Sequence, residues 1–410
     1  MKFTSIAIIC LLVTITLVLG CEVKRDEMDG ANGGRKENAK NPNAQVSKEF
    51  GLQGLMLVTL SDIDKIALCD LKTLKVGDII DVGRNPQDVA FAPDGKTYIA
   101  SMAGDFQAVE STDTPSLAPL VSNSIWIWES TTHKIIGKSN ISLNDQNEAP
   151  TGIAIDKTSN KVYIANTFSD SVLVKKLNGG QDEITRVSVG SGPRRVLITP
   201  NNDYVITINT DQMNKTETDT VSILYALSNE ETSRVEVGSM PWDGCISAMS
   251  DKLYVSVSGS NCIKVIEINS GKILNTFPVE NTPKGIEISG DSRTLYVASY
   301  DNNTLVSLNA ETGELIDSIE VGRGPEEIVF AENSNVLMVG NSDSNSITVV
   351  NVPRWIVSDT MDLPGRPSAI TVWDAPPPVA SQSEARTRAD LKEMITPKSV
   401  QKEEAQTTGK

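Results

Sequence analysis

Histidine is almost missing from this chain: its 410 residues contain one, His133. Imidazole is the commonest general base and a frequent metal ligand, so most hydrolytic and zinc chemistries lose their usual parts. An excess of basic residues is missing too. Lys and Arg number 37 against 53 Asp and Glu, a formal net charge of -16. A nucleic-acid partner needs a basic stripe whose cations displace phosphate counterions, so nucleic-acid binding is not expected. The five cysteines include no CxxC pair and no Cys/His cluster, which leaves neither a disulfide framework nor a metal site. Cys69, Cys245 and Cys262 read as buried structural thiols. No cofactor and no metal are expected.

Long apolar runs are confined to the start, MKFTSIAIICLLVTITLVLG. One basic residue precedes an apolar stretch interrupted only by threonines, a signal-peptide layout too short and weakly flanked for a transmembrane anchor. The ending Val18-Leu19-Gly20-Cys21 resembles the lipobox of bacterial-type lipoproteins. That resemblance implies removal of residues 1–20 and lipidation of Cys21, a tether to the membrane with no catalytic role. The alternative is an ordinary signal peptide in which Cys21 is incidental.

Residues 21–49 are polar, with alternating charges and no hydrophobic periodicity, and read as a flexible spacer that cannot offset its ordering entropy by burial. Residues 375–410 open on Ala375-Pro376-Pro377-Pro378 and continue rich in Ala, Gln, Lys, Glu and Thr, a disordered or partly helical tail. The spacer balances six Lys/Arg against six Asp/Glu and the tail six against five. The negative charge therefore resides in residues 50–374, which disfavours direct adhesion to anionic membrane and suits a lipid tether.

Those residues carry an internal repeat. A proline recurs at Pro86, Pro150, Pro193, Pro241, Pro283, Pro325 and Pro367, and the last three intervals are each 42 residues. In the clearest unit, TPKGIEISGDSRTLYVASYDNNTLVSLNAETGELIDSIEVG, four β-branched or alternating apolar runs are separated by Gly/Asp/Asn/Ser turns. Four short strands in about 42 residues describe a propeller blade, and no unit shows a 3.6-residue period. After Pro367 one strand remains, whereas three precede Pro86, at 54–60, 65–71 and 76–82. One plus three completes a blade, so the fold class is all-β: a seven-bladed β-propeller of four-stranded antiparallel blades, closed by one C-terminal and three N-terminal strands with no sheet edge left open.

The units resemble the YVTN family of seven-bladed propeller repeats of bacterial and archaeal envelope proteins, on TYIAS at 97–101, VYIAN at 162–166, LYVSV at 253–257 and LYVAS at 295–299. The blades with DYVIT at 203–207 and VLMVG at 336–340 depart from that pattern. The resemblance covers residues 50–374 and implies architecture far more than activity, since function lies in particular sites.

Two loops are long. From the tyrosine to the third strand takes 9 residues in the blades holding Tyr163, Tyr254 and Tyr296, but 27 after Tyr98 and 17 after Tyr204. Both insertions join strands two and three and should extend the face on which the repeat prolines lie, a candidate binding face. The residues after each proline should ring the channel mouth there. They include Asp88, Arg194, Arg195, Trp242, Asp243, Lys284, Glu326 and Glu327. One reading is a polar pocket with Trp242 ready to stack on a ligand; the other is a set of charges that neutralise one another around a solvated opening.

Propeller lactonases and antibiotic-inactivating lyases depend on histidines or metal-binding carboxylates in that mouth, and His133 instead falls in a strand-connecting turn. Trp-docking repeats and an axial histidine, needed by quinone and haem propellers, are not visible. The acidic turns Ser61-Asp62-Ile63-Asp64 and Ser342-Asp343-Ser344-Asn345 fit hairpins better than calcium loops. Trp126, Trp128, Trp355 and Trp373 read as core. The expectation is an exported, lipid-anchored, monomeric propeller that binds an envelope protein or glycan without catalysis; the alternative is an enzyme or cofactor-binding propeller using the channel mouth.

Overall fold

The computed structural model describes residues 52–104, 124–140, 148–156, 158–177, 184–211, 219–331 and 335–374. The leader, Cys21, the spacer and the tail lie outside the described residues, as does most of each long loop, 105–123 and 212–218. The described residues form 28 strands, numbered in chain order, in seven four-stranded antiparallel sheets. The first three, β1 (Leu55–Leu60), β2 (Lys65–Asp70) and β3 (Lys75–Asp81), continue a sheet begun by the last, β28 (Pro367–Trp373). In that sheet Leu57 faces Thr371 and Val58 faces Ile370, so the chain's two ends close one blade and β1 is paired on both sides.

Each blade's innermost strand begins at a repeat proline. These are β4 (Pro86–Phe91), β8 (Pro150–Asp156), β12 (Pro193–Ile198), β16 (Pro241–Ile246), β20 (Pro283–Ile288), β24 (Pro325–Phe330) and β28. They adjoin one another in that order around the axis, β28 returning to β4. A proline suits the first position of a strand, where its missing N–H interrupts no ladder. The amide just before it is capped by a side chain from a turn or strand end elsewhere on the same face: Asp64 accepts from Asn85, Asp170 from Gly192, Asp219 from Met240, Asn261 from Thr282, Asn303 from Gly324 and Asp62 from Arg366, at 2.7–3.0 Å. The acidic turn at 61–64 is thereby accounted for as a clamp between loops of one face. Asp64, Asp170, Asn261 and Asn303 all hold positive φ, which Asn and Asp tolerate better than other side chains.

Packing runs between blades. In the clearest repeat the second strand, β21 (Thr294–Ser299), is buried along all but its first residue, whereas the outermost, β23 (Leu315–Glu320), is largely exposed. The second strands are buried almost from end to end, with only an occasional Ser, Thr or Asn among their apolar residues, because a neighbouring blade covers each of their faces. Each fully buried Val, Ile or Leu contributes about 1.5–3 kcal/mol relative to an exposed one. Aromatic residues concentrate at one junction, where Leu57, Ile66, Val89, Tyr98 and Trp128 share a cluster with Trp126 against it. Tyr98 stacks on Trp128 at 5.3 Å, and Trp126 lies 5.8 Å from Trp128. Elsewhere the clusters are built mainly of Val, Ile, Leu and Ala with one or two aromatics at most in their buried core, which is how a chain with few aromatics fills seven of them. Trp355 packs beside Tyr296, and Trp373 beside Phe91.

The three body cysteines are buried and free. Burial pushes the Cys69 thiol up to about 12 and Cys245 well above the ordinary range.

Candidate functional site

Immediately after every repeat proline the inner strand slips against its neighbour. Pro193 pairs with Asn209 but Arg195 with Ile208, Pro241 with Val257 but Asp243 with Ser256, and Pro325 with Asn341 but Glu327 with Gly340. The other four inner strands show the same interruption. A bulge re-aims side chains at a strand end, and here seven of them bring the residues after the prolines to one opening. They surround a pocket of about 120 Å³ lined by Asp88, Arg194, Arg195, Trp242, Glu326 and Glu327, with Arg366 and Ser368 beside them. Asp243 and Lys284 do not line it but bind residues that do. All eight mouth residues singled out in the sequence thus fall in one cluster.

Two glycines admit this crowding. A Cβ on Gly152 would lie 2.6 Å from the Arg194 carbonyl oxygen, and one on Gly285 would lie 2.7 Å from that of Glu326. Each therefore lets its inner strand approach the next one's backbone.

The charges form two networks. Arg195 is the hub of the first: its Nε donates to Asp243 Oδ1 at 2.9 Å and its Nη2 to Glu327 Oε2 at 2.6 Å, while Asp88 stands 3.9 Å from Nη1. Asp88 also accepts from its neighbour's amide, Val89, and from that of Ile153, both at 2.8 Å. In the second network Glu326 Oε1 accepts from Lys284 Nζ and, at 2.9 Å, from Arg366 Nη2. Lys284 Nζ also sits 3.5 Å from the Tyr300 ring centroid and 4.1 Å from that of Trp242. The Arg194 guanidinium lies on Trp242 at 3.8 Å. The indole proposed from sequence as a stacking platform is thus already in contact with cations from both neighbouring inner strands.

Burial is the largest single influence on the titration of this cluster, though not always the deciding one. It pushes Glu327 up to about 8 against the opposing pull of Arg195, and it raises Asp88 despite Arg195 and the two amides. Glu287, further along β20 from the mouth, is also pushed up to about 8, by burial and then by the charge of Asp243. Burial acts to lower Arg195, but Asp243, Glu327 and Asp88 together hold it well above its ordinary value. Burial lowers Arg194 and Lys284.

Sequence reasoning missed three members. Arg366 immediately precedes a repeat proline, Tyr300 immediately follows the strand holding LYVAS, and Glu287 stands four residues after Pro283. Alternation along β20 could have exposed Glu287, because positions two and four beyond a proline face the same way.

Nothing in the cluster arranges a nucleophile against a base, and among the described residues no three His, Cys, Asp or Glu side chains are placed to hold a metal ion. His133 occupies the turn between β6 (Ser124–Glu129) and β7 (Ile135–Asn140), a third-to-fourth-strand turn and therefore on the face opposite the mouth. It is half-buried rather than fully exposed, 6.3 Å from Tyr98, and burial lowers its pKa despite the charge of Asp78.

These features define a closed seven-bladed propeller with a small, charge-paired central mouth. The chain belongs to the YNCE-like beta-propeller family, whose sequence profile matches residues 56–334. No curated protein sequence matches it. Among solved structures it is similar to Kuenenia stuttgartiensis hydrazine synthase, at 15% identity with a TM-score of 0.60, over 80% of this chain and 100% of that one. In all, 1642 solved chains match; with so many and an identity so low, the likeness shows the fold alone.

Proposed function

We propose that this propeller is exported, anchored to the membrane through lipidated Cys21, and serves as a non-catalytic binding platform for a protein or glycan at the cell envelope, with the mouth face as its binding face. The observation that carries this reading is the state of the mouth. Its ionisable groups other than Arg194 are paired with one another and surround only about 120 Å³, below the roughly 300–1,000 Å³ of sites that enclose a cofactor or a drug-sized substrate. A partner of any size must therefore rest on the face. Apolar anchoring through two acyl chains and a polar spacer would hold an acidic body clear of an anionic surface.

Two measurements test this. Fractionation should find the wild-type chain in membranes and Cys21→Ala in the soluble fraction; equal retention overturns the anchor. Deleting 104–120, the bulk of the longer loop on the mouth face, should abolish crosslinking to envelope partners in intact cells. An unchanged crosslinking pattern overturns the binding face.

A further inference from the structure

Counting what each charged group at the mouth already binds exposes an unequal distribution. Arg195 is taken by Asp243 and Glu327, and Lys284 and Arg366 by Glu326. Arg194 differs: among the described residues its guanidinium donates no hydrogen bond and forms no ion pair, and its one close partner is the Trp242 ring at 3.8 Å. That contact fixes the plane of a fork of five donors at the pocket wall. Burial has removed much of its water without supplying an acceptor. Across the same pocket, Glu326 and Glu327 each use a single oxygen, Oε1 and Oε2 respectively. Their second oxygens accept no hydrogen bond among the described residues, although both side chains are only 7–8% exposed. Both carboxylates lie close enough for their charge to raise the Arg194 pKa.

We propose that the mouth pocket binds a small zwitterion, an α-amino acid with a short side chain, its carboxylate paired with Arg194 and its ammonium held by the free oxygens of Glu326 and Glu327. A planar guanidinium pairs fork to fork with a carboxylate, and its stacking on Trp242 removes part of the ordering cost of that pairing. With the carboxyl groups of the mouth ionised, formal charge favours a zwitterion over either ion alone. Arg194, Arg195, Lys284 and Arg366 face Asp88, Asp243, Glu326 and Glu327, and a neutral ligand carrying both charges leaves that balance intact. Size sets the side chain. The pocket's 120 Å³ is well below the roughly 300–1,000 Å³ of sites that enclose a drug-sized ligand, which favours glycine or alanine over an aromatic amino acid. The ligand would sit beneath a macromolecular partner resting on the face, so this inference relies on the platform reading only for the mouth being open to solvent.

The test is calorimetric titration of the full-length chain in detergent, at pH 8, with L-alanine, acetate, ethylammonium and L-tryptophan as probes. Alanine should bind saturably, with acetate and ethylammonium weaker by about tenfold or more and tryptophan not bound. Arg194→Met should abolish alanine binding while the near-UV circular dichroism stays native. Glu327→Gln should weaken alanine by about tenfold and leave acetate unweakened, a split that mere loss of structure would not give. Absence of alanine binding to the wild type, acetate binding equal to alanine, or alanine binding that survives Arg194→Met each overturns the proposal. A chain that takes alanine but loses no partner when 104–120 is deleted would overturn the platform reading alone; one that needs that loop for its partner yet takes no alanine overturns this inference alone.

Discussion

Arg195→Met removes the cation on which three inner strands converge. The side chain keeps two charge-assisted hydrogen bonds, at 2.9 Å to Asp243 and 2.6 Å to Glu327, and lies 3.9 Å from Asp88. Charge-assisted bonds contribute about 1.5–3 kcal/mol each, and breaking a buried pair from one side typically costs about 3–5 kcal/mol because the remaining charge is stranded. A loss of about 4 kcal/mol at pH 8 follows. The loss should depend on pH with a definite sign. Without Arg195, which pulls both groups down against burial, Asp88 and Glu327 must either stay ionised in a buried cluster or keep their protons to a higher pH than in the wild type, although the unfolded chain has released them. Each proton so retained costs about 1.4 kcal/mol per pH unit above the unfolded pKa. Destabilisation is therefore greatest at pH 8 and smallest near pH 5. Urea unfolding followed by tryptophan fluorescence at both pH values, with an unchanged slope in denaturant, measures it. A loss below about 1 kcal/mol at pH 8, or equal losses at the two pH values, would refute Arg195 as the hub.

Glu287→Gln should act oppositely. The folded chain holds the Glu287 proton to about 8, whereas an ordinary glutamate releases it near 4.5. Wild-type stability therefore falls across that window by up to about 1.4 kcal/mol per pH unit on this group's account. The variant should match wild type at pH 4 and exceed it at pH 8; the same difference at both would count against a protonated Glu287. Gly285→Ala should lower stability by about 2 kcal/mol, because the new Cβ would meet backbone atoms of the next inner strand, which cannot swing aside. Gly290→Ala, with nothing within 4 Å of its Cβ, is the matched control and should change stability by less than about 0.5 kcal/mol. Cys69, Cys245 and Cys262, free, buried and raised in pKa, should resist a thiol reagent at pH 8 in the native chain and all react in guanidinium. Labelling of any of them in the folded protein, located by mass spectrometry, would contradict the burial.

The fold is legible in the sequence because its signals are local and repeated. A proline opens each inner strand, Asn, Asp or Gly marks the turns, and the second strand is mainly apolar because it is covered on both sides. Counting strands at the two ends is then enough to place β28 beside β1. The ring of mouth residues is legible for the same reason, since a fixed distance from each proline fixes a place in the mouth. Which charges pair is not legible. Arg195 meets Glu327 across 132 residues, and the bulge after each proline turns side chains by an amount that periodicity does not reveal. Arg366 escapes notice because it stands before its proline rather than after it. Trp242 reads as a free platform until the cations of the adjoining strands are placed upon it, and the acidic turn at 61–64 reads as a simple hairpin until Asp62 and Asp64 are seen capping amides of the loops beside them.

Whether the mouth is the binding face is tested most directly by one comparison. Once a partner has been captured by crosslinking from intact cells, its affinity for the full-length chain should be measured for wild type and for Arg194→Ala/Trp242→Ala. Neither residue carries an ion pair among the described residues, so the double variant should fold while presenting an altered mouth. A fall in affinity of about tenfold or more, with native circular dichroism, is the predicted result. Unchanged affinity in a folded double variant would contradict it and move the binding surface elsewhere on the propeller.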